Sequence, residues 1–99
     1  MIKMKIRVRY LGPVRVLLNK KEEELEVPVK TTLIEFLDRL ASLYGDAFRE
    51  EVLETNSKAI REGLVVTVNG IAVNQLGGVK ARLNDGDAVT LLPFFAGGG

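Results

Sequence analysis

The first ten residues limit the fold more than any other stretch of the chain. In Ile2-Lys3-Met4-Lys5-Ile6-Arg7-Val8-Arg9-Tyr10 the even positions are apolar or aromatic and the odd positions are cations. A period of two puts every apolar side chain on one side of an extended backbone and every charge on the other. A helix would scatter the same charges around its circumference, so the segment predicts a β-strand with one face buried. Such a strand needs a sheet, and the sheet's apolar face needs a covering layer.

A chain of 99 residues can wrap one hydrophobic core, so a single domain is expected. There is no internal repeat and no linker. At 46% hydrophobic and 27% charged residues, the composition is that of a folding globular protein rather than of a disordered one.

The remaining elements follow in order. Gly12-Pro13 punctuates the first strand and opens a turn region running through Asn19-Lys20-Lys21. Leu25 and Val27, flanked by glutamates, read as the second strand of a hairpin that ends at Pro28. Thr32-Leu33-Ile34-Glu35 has the form of a capping box and predicts a helix start. Leu33, Phe36, Leu37, Leu40, Leu43 and Tyr44 form its apolar stripe, Glu35, Asp38, Arg39 and Ser42 face water, and Gly45 closes it at a left-handed C′ position. Asp46 is expected to cap a shorter helical turn through Phe48, Val52 and Leu53, and Glu54 to Gly63 reads as a polar loop.

Leu64-Val65-Val66-Thr67-Val68 is a strand by its β-branched content. Asn69-Gly70 predicts a type I′ turn into Ile71-Ala72-Val73. Leu83-Asn84-Asp85-Gly86-Asp87 is a further turn, and Ala88 to Leu92 is a last strand stopped by Pro93. Strands interrupted by one long helix argue for an α+β domain with that helix across one sheet face. If the first and last strands lie parallel in the middle, the helix is the crossover and the fold is a β-grasp. A ferredoxin-like arrangement needs a second long helix, which the polar 54–63 stretch does not supply. The helix residues Leu33, Phe36, Leu37 and Leu40 should meet Ile6, Val8, Val68 and either Leu91 or Leu92.

The absence of cysteine and histidine removes thiolate nucleophiles, disulfides, imidazole bases and the common zinc ligand sets. Only Asp, Glu, Lys, Tyr, Ser and Thr remain for chemistry, and no motif places a pair of them, so the chain is not read as an enzyme. Leu76-Gly77-Gly78-Val79 leads into no helix with a Lys-Ser or Lys-Thr pair and is a turn, not a phosphate loop. Asp85 and Asp87 are two carboxylates, too few for a hard cation, and set a turn instead. No metal and no bound cofactor is expected.

Charge is segregated along the chain. Lys3, Lys5, Arg7, Arg9, Arg15, Lys20 and Lys21 precede the first acid, whereas residues 22–62 are strongly acidic, and the net charge is +1. Such segregation either steers a partner or is what solvated faces look like. Nucleic-acid binding is not expected, because no aromatic is interleaved with the cations of the first strand. No apolar run approaches the ~18 residues of a membrane span, and no signal-peptide core follows the basic start, which leaves a cytoplasmic protein with no membrane partner as the expectation.

The end of the chain, Pro93-Phe94-Phe95-Ala96-Gly97-Gly98-Gly99, gives residues 1–93 as the domain and 94–99 as a flexible tail. Glycines there pack nothing. What they lack is a Cβ, which lets a backbone thread a narrow channel and leaves a terminal carbonyl open to attack. Six extended residues beyond Pro93 reach ~20 Å. A carboxylate with a pKa of ~3.5 is a poor electrophile at neutral pH, so it requires activation, most simply as an acyl-adenylate, by a partner that supplies the ATP. The other reading of the glycines alone is an unstructured end or a cloning remnant. Of Phe94 and Phe95, one is expected to finish the core and the other to anchor the tail in a partner groove.

The alternating first strand, the Thr-capped Leu/Phe helix, Val68-Asn69-Gly70, Leu83-Asn84-Asp85-Gly86-Asp87-Ala88-Val89 and Pro93-Phe94-Phe95-Ala96-Gly97-Gly98 occur in that order. In this respect the chain resembles the MoaD/ThiS family: the molybdopterin synthase small subunit, the thiazole-pathway sulfur carrier and the small archaeal ubiquitin-like modifiers. The likeness spans nearly the whole chain. It implies a ubiquitin-like β-grasp with a mixed sheet of four or five strands. It further implies a carrier or modifier whose terminal glycine is adenylated by a ubiquitin-activating-type enzyme. That glycine then becomes a thiocarboxylate for sulfur transfer, in making molybdopterin or another thio-cofactor or in tRNA thiolation, or joins a lysine of a target protein by an isopeptide bond. The position concerned is Gly99, preceded by Gly98 and presented by Gly97, Ala96, Phe95 and Phe94. The implied partners are the adenylating enzyme and either a molybdopterin synthase large subunit or lysine-bearing targets. Two features depart from the pattern: three terminal glycines stand where the family has two, so Gly99 is either used directly or trimmed, and the loop from Glu54 to Gly63 is longer than in compact members. A non-covalent β-grasp interaction module is the alternative.

Overall fold

The computed structural model describes residues 2–56 and 58–93. Strand β1, Lys3–Tyr10, keeps the alternation seen in the sequence: Met4, Ile6, Val8 and Tyr10 are buried and the four cations alternating with them, Lys3, Lys5, Arg7 and Arg9, are exposed. Strand β2, Glu22–Pro28, returns antiparallel to it with Ile6 opposite Leu25. Helix α2, Leu33–Tyr44, then crosses the sheet, followed by α3, Asp46–Val52. Strands β3, Leu64–Val68, and β4, Ile71–Ala72, form the second hairpin, and β5, Ala88–Pro93, enters between β1 and β3. The sheet order is β2-β1-β5-β3-β4, with β1 and β5 parallel and the other pairs antiparallel. This five-stranded mixed sheet crossed by one main helix is the β-grasp.

The capping box forms as read: Glu35 N–H donates to Thr32 Oγ1 at 3.3 Å, and Thr32 N–H donates to Glu35 Oε1 at 2.9 Å. Leu33, Phe36, Leu37 and Leu40 are fully buried, as are Ile6, Val8 and Leu91, with Val68 nearly so. Of the two leucines left open at the end of β5, Leu91 faces the core. Asn69 and Gly70 both take positive φ, 54° and 83°, as a type I′ turn requires.

Several boundaries differ from the sequence reading. Residues 13–18, expected as part of a turn, form helix α1, Pro13–Leu18. Proline at its first position is compatible with a helix because that N–H has no intrahelical partner, and burial of Val14 holds the single turn and a half in place. On α2, Leu43 is 60% exposed and Ala41 takes the inward position, since 100° per residue carries Leu43 past the edge of the stripe. Gly45, with φ 97° and ψ −173°, is not left-handed helical, and serves both as the C-cap of α2 and the N-cap of α3. Asp46 is therefore the first residue of α3 and not its cap. Val73 leaves the strand to begin a 3₁₀ turn, Val73–Leu76. Pro93 does not stop the last strand but ends it from within, opposite Leu64.

The charge segregation resolves across the sheet's open face. Lys5 lies opposite Glu26, Arg7 opposite Glu24 and Arg9 opposite Glu22, and Arg9 Nε approaches Glu22 Oε1 at 3.7 Å. Basic and acidic segments of the chain thus form one ladder of opposite charges. None of the helices among the described residues is long and apolar enough to cross a membrane.

Candidate functional site

Phe94, Phe95, Ala96, Gly97, Gly98 and Gly99, with the tail mobility and the two phenylalanine roles expected of them, lie outside the described residues. The structure places the point from which they leave. Strand β5 is the middle of the five strands, paired with β1 as far as Leu91 and with β3 to its last residue, Pro93, which lies opposite Leu64. Leu11 N–H donates to the Leu91 carbonyl at 3.0 Å, and the chain then turns at Gly12 with φ 65°. A Cβ at Gly12 would stand 2.8 Å from both Cδ and Cγ of Pro93. Glycine is therefore required for the segment entering α1 to close over the proline ring.

Around Pro93 lies an open cleft of about 220 Å³. Leu11, Val14 and Leu64 contribute apolar surface to it, and Arg61, Glu62 and Gly63 form one wall. The end of the Glu54 to Gly63 stretch thus builds the rim of the tail root. It is held there by Arg61 N–H donating to the Val52 carbonyl at 2.8 Å, by Leu64 N–H to the Arg61 carbonyl at 3.1 Å and by a bridge between Leu53 and Ile60.

The same end of the sheet carries a polar network that sequence reasoning missed. Glu23, opposite Val8 on the helix side of the sheet, accepts a hydrogen bond from Tyr10 Oη at 2.6 Å and another from Tyr44 Oη. Lys20 Nζ donates to Glu23 Oε1 at 3.3 Å and to Tyr44 Oη at 2.9 Å. Burial raises the Glu23 carboxyl's pKa, but the three donors outweigh it and leave the group below its ordinary value. The bond to Tyr44, with Glu23 beside it, holds Lys20 above the ordinary lysine value and protonated. Burial and the neighbouring carboxylate push both tyrosines up. Every group is partnered in its resting protonation state, so the network locks β1, β2 and α2 together and offers no nucleophile. Its sequence signal, a tyrosine ending each of two apolar stripes, reads as packing alone.

The second turn is equally structural. Asp87 accepts from Asn69 Nδ2 at 2.9 Å and from Asn84 N–H at 2.8 Å, and Asp85 accepts from Lys5 N–H at 2.7 Å. The two carboxylates tie the hairpin, the turn and β1 together at the end of β5 remote from Pro93. Gly77 and Gly78 take φ of 97° and 99° in the turn after Leu76.

The ThiS family model matches residues 8–98. The solution structure of the Haloferax volcanii HVO 2177 protein is similar with a TM-score of 0.81 and 28% identity, over 97% of this chain and 88% of that one. Urm1 from Trypanosoma brucei gives a TM-score of 0.78 and 25% identity over 99% of both chains. A chain of the Amycolatopsis orientalis BexX/CysO complex gives 0.71 and 26%, over 94% of this chain and 99% of that one. Among curated proteins no significant match is found.

Proposed function

The chain belongs to the ThiS family of ubiquitin-like sulfur carriers and modifiers, and from that premise we propose that its own Gly99 carboxylate is the reacting group, with all catalysis supplied in trans. The observation that carries this reading is the seat of the tail: the central strand ends at Pro93 against Gly12, and the sequence beyond it closes on three glycines. A rigid sheet positions the root while side-chain-free residues enter another protein's active site.

A ubiquitin-activating-type enzyme binds ATP, and the Gly99 carboxylate oxygen attacks the α-phosphorus, expelling pyrophosphate and leaving an acyl-adenylate. Sulfide then displaces AMP to give a thiocarboxylate for a sulfur acceptor, or a lysine amine displaces it to give an isopeptide. Both outcomes share the first step. The further partner is a molybdopterin synthase large subunit or another sulfur-transfer system in the first case, and a lysine-bearing target protein in the second. The BexX/CysO complex is a precedent for a chain of this fold assembled with a second protein.

Deleting Gly98 and Gly99 should abolish ATP–pyrophosphate exchange by the cognate enzyme while leaving thermal stability unchanged. Undiminished exchange would instead favour the non-covalent interaction module. Deleting Gly99 alone separates direct use from trimming: faster activation of the shortened chain would make Gly98 the reacting residue. Intact mass of the protein from its native cell separates the two fates, an oxygen-to-sulfur change marking the carrier and a remnant on target lysines the modifier.

A further inference from the structure

Helix α1 presents an apolar ridge to solvent. Val16 is 81% exposed and Leu17 43% exposed. With the exposed Pro13 they stand at i, i+3 and i+4, on one face of the helix. On the other helices the outward positions are mostly polar, Glu35, Arg39 and Ser42 on α2 and Asp46 and Glu50 on α3, and the exposed Leu43 of α2 stands among them without an apolar neighbour on its face. Single exposed apolar residues need no explanation. A contiguous row on a six-residue helix is different, because valine is a poorer helix former than the alanine, lysine or glutamate that water and helix would both accept there.

The start of the ridge also lies close to Pro93, the last described residue. Helix α1 begins directly after Gly12, the residue that closes over Pro93. The residues from Phe94 to Gly99 span at most ~20 Å. An enzyme acting on Gly99 must therefore bring its reacting centre within that distance of Pro93, and its body against the surfaces around the root. Helix α1 is one of those surfaces, and its exposed Arg15 adds a cation next to the ridge.

We infer that the Pro13, Val16 and Leu17 ridge is the docking element for the adenylating enzyme, fitting an apolar groove at the mouth of its tail channel with a carboxylate facing Arg15. The inference rests on the reading of Gly99 as the activated residue. It differs from that reading in what it controls: the ridge governs encounter and residence, while the glycines govern chemistry.

The test is ATP–pyrophosphate exchange by the ubiquitin-type adenylating enzyme of the same organism, with the full chain as the varied substrate. The double variant Val16→Gln, Leu17→Gln should raise KM for the chain about tenfold, as loss of a buried apolar anchor does, and leave kcat unchanged. Arg15→Glu, whose side chain is exposed and removes no core contact, should also raise KM. The pair Val16→Ile, Leu17→Met should restore the native value. Deletion of the terminal glycines should abolish kcat instead. A native KM in the glutamine and glutamate variants would overturn the ridge and leave the carrier reading standing. No exchange with the unaltered chain would overturn the carrier reading and the ridge's assignment with it.

Discussion

Glu23 has a carboxylate that is stabilised in the folded state and not in the unfolded one. Burial works against its charge, and the hydrogen bonds from Tyr10, Tyr44 and Lys20 more than offset that. A carboxyl group whose pKa is lowered on folding contributes its full stabilisation above its unfolded-state pKa, and loses it as pH falls through the lower folded-state value. Glu23→Gln removes the charge but keeps an acceptor. Its urea midpoint should therefore lie below that of the native protein at neutral pH, and the gap should narrow on acidification below the ordinary glutamate range. A gap of constant size from neutral to acid pH would show that shape and not charge matters there. Phe36 carries a different kind of residue-level energy. It is fully buried under α2, and Phe36→Ala should cost about 3–5 kcal/mol by denaturant unfolding. A loss under about 1 kcal/mol would be the figure for a surface site.

At the scale of elements, β1, α1 and β5 meet in close contact at Gly12 and Pro93. Gly12 combines a φ of 65° and ψ of −142°, a region that side chains avoid, with a proline ring packed where its Cβ would be. Because the ring is part of the backbone of β5, it cannot rotate out of the way. Gly12→Ala should destabilise the protein by about 1–3 kcal/mol, with NMR shift changes concentrated at Leu64, Leu91 and Pro93. An alanine variant of native stability would mean that the joint yields easily. The capping box was legible because its two hydrogen bonds are local, linking residues three apart. Helix α1 was not, because six residues hold their helical form through Val14 in the core and a proline start, and neither gives a periodic pattern long enough to read.

For the molecule as a whole, the sheet order makes β1 and β5 inner strands while β2 and β4 are its edges. Native-state hydrogen exchange should be slowest at the amides shared by β1 and β5, near the global unfolding limit, and fastest at the two-residue β4. Equal protection across the sheet would contradict this ordering.

Several features that rest on near neighbours along the chain are readable from the amino acids alone. These include the period of β1, most of the stripe and the cap of α2, and the Asn69-Gly70 turn, and through them the β-grasp. The rest depends on residues far apart in sequence. Glu23 finds Tyr10 and Tyr44, Glu26 faces Lys5, the end of the Glu54 to Gly63 loop walls the tail root, and Gly12 must be glycine because of a ring eighty-one positions later. Local pattern constrains backbone conformation through sterics and hydrogen bonds between near neighbours. Which distant side chains then meet is set by how the elements pack, and no window on the sequence contains both partners.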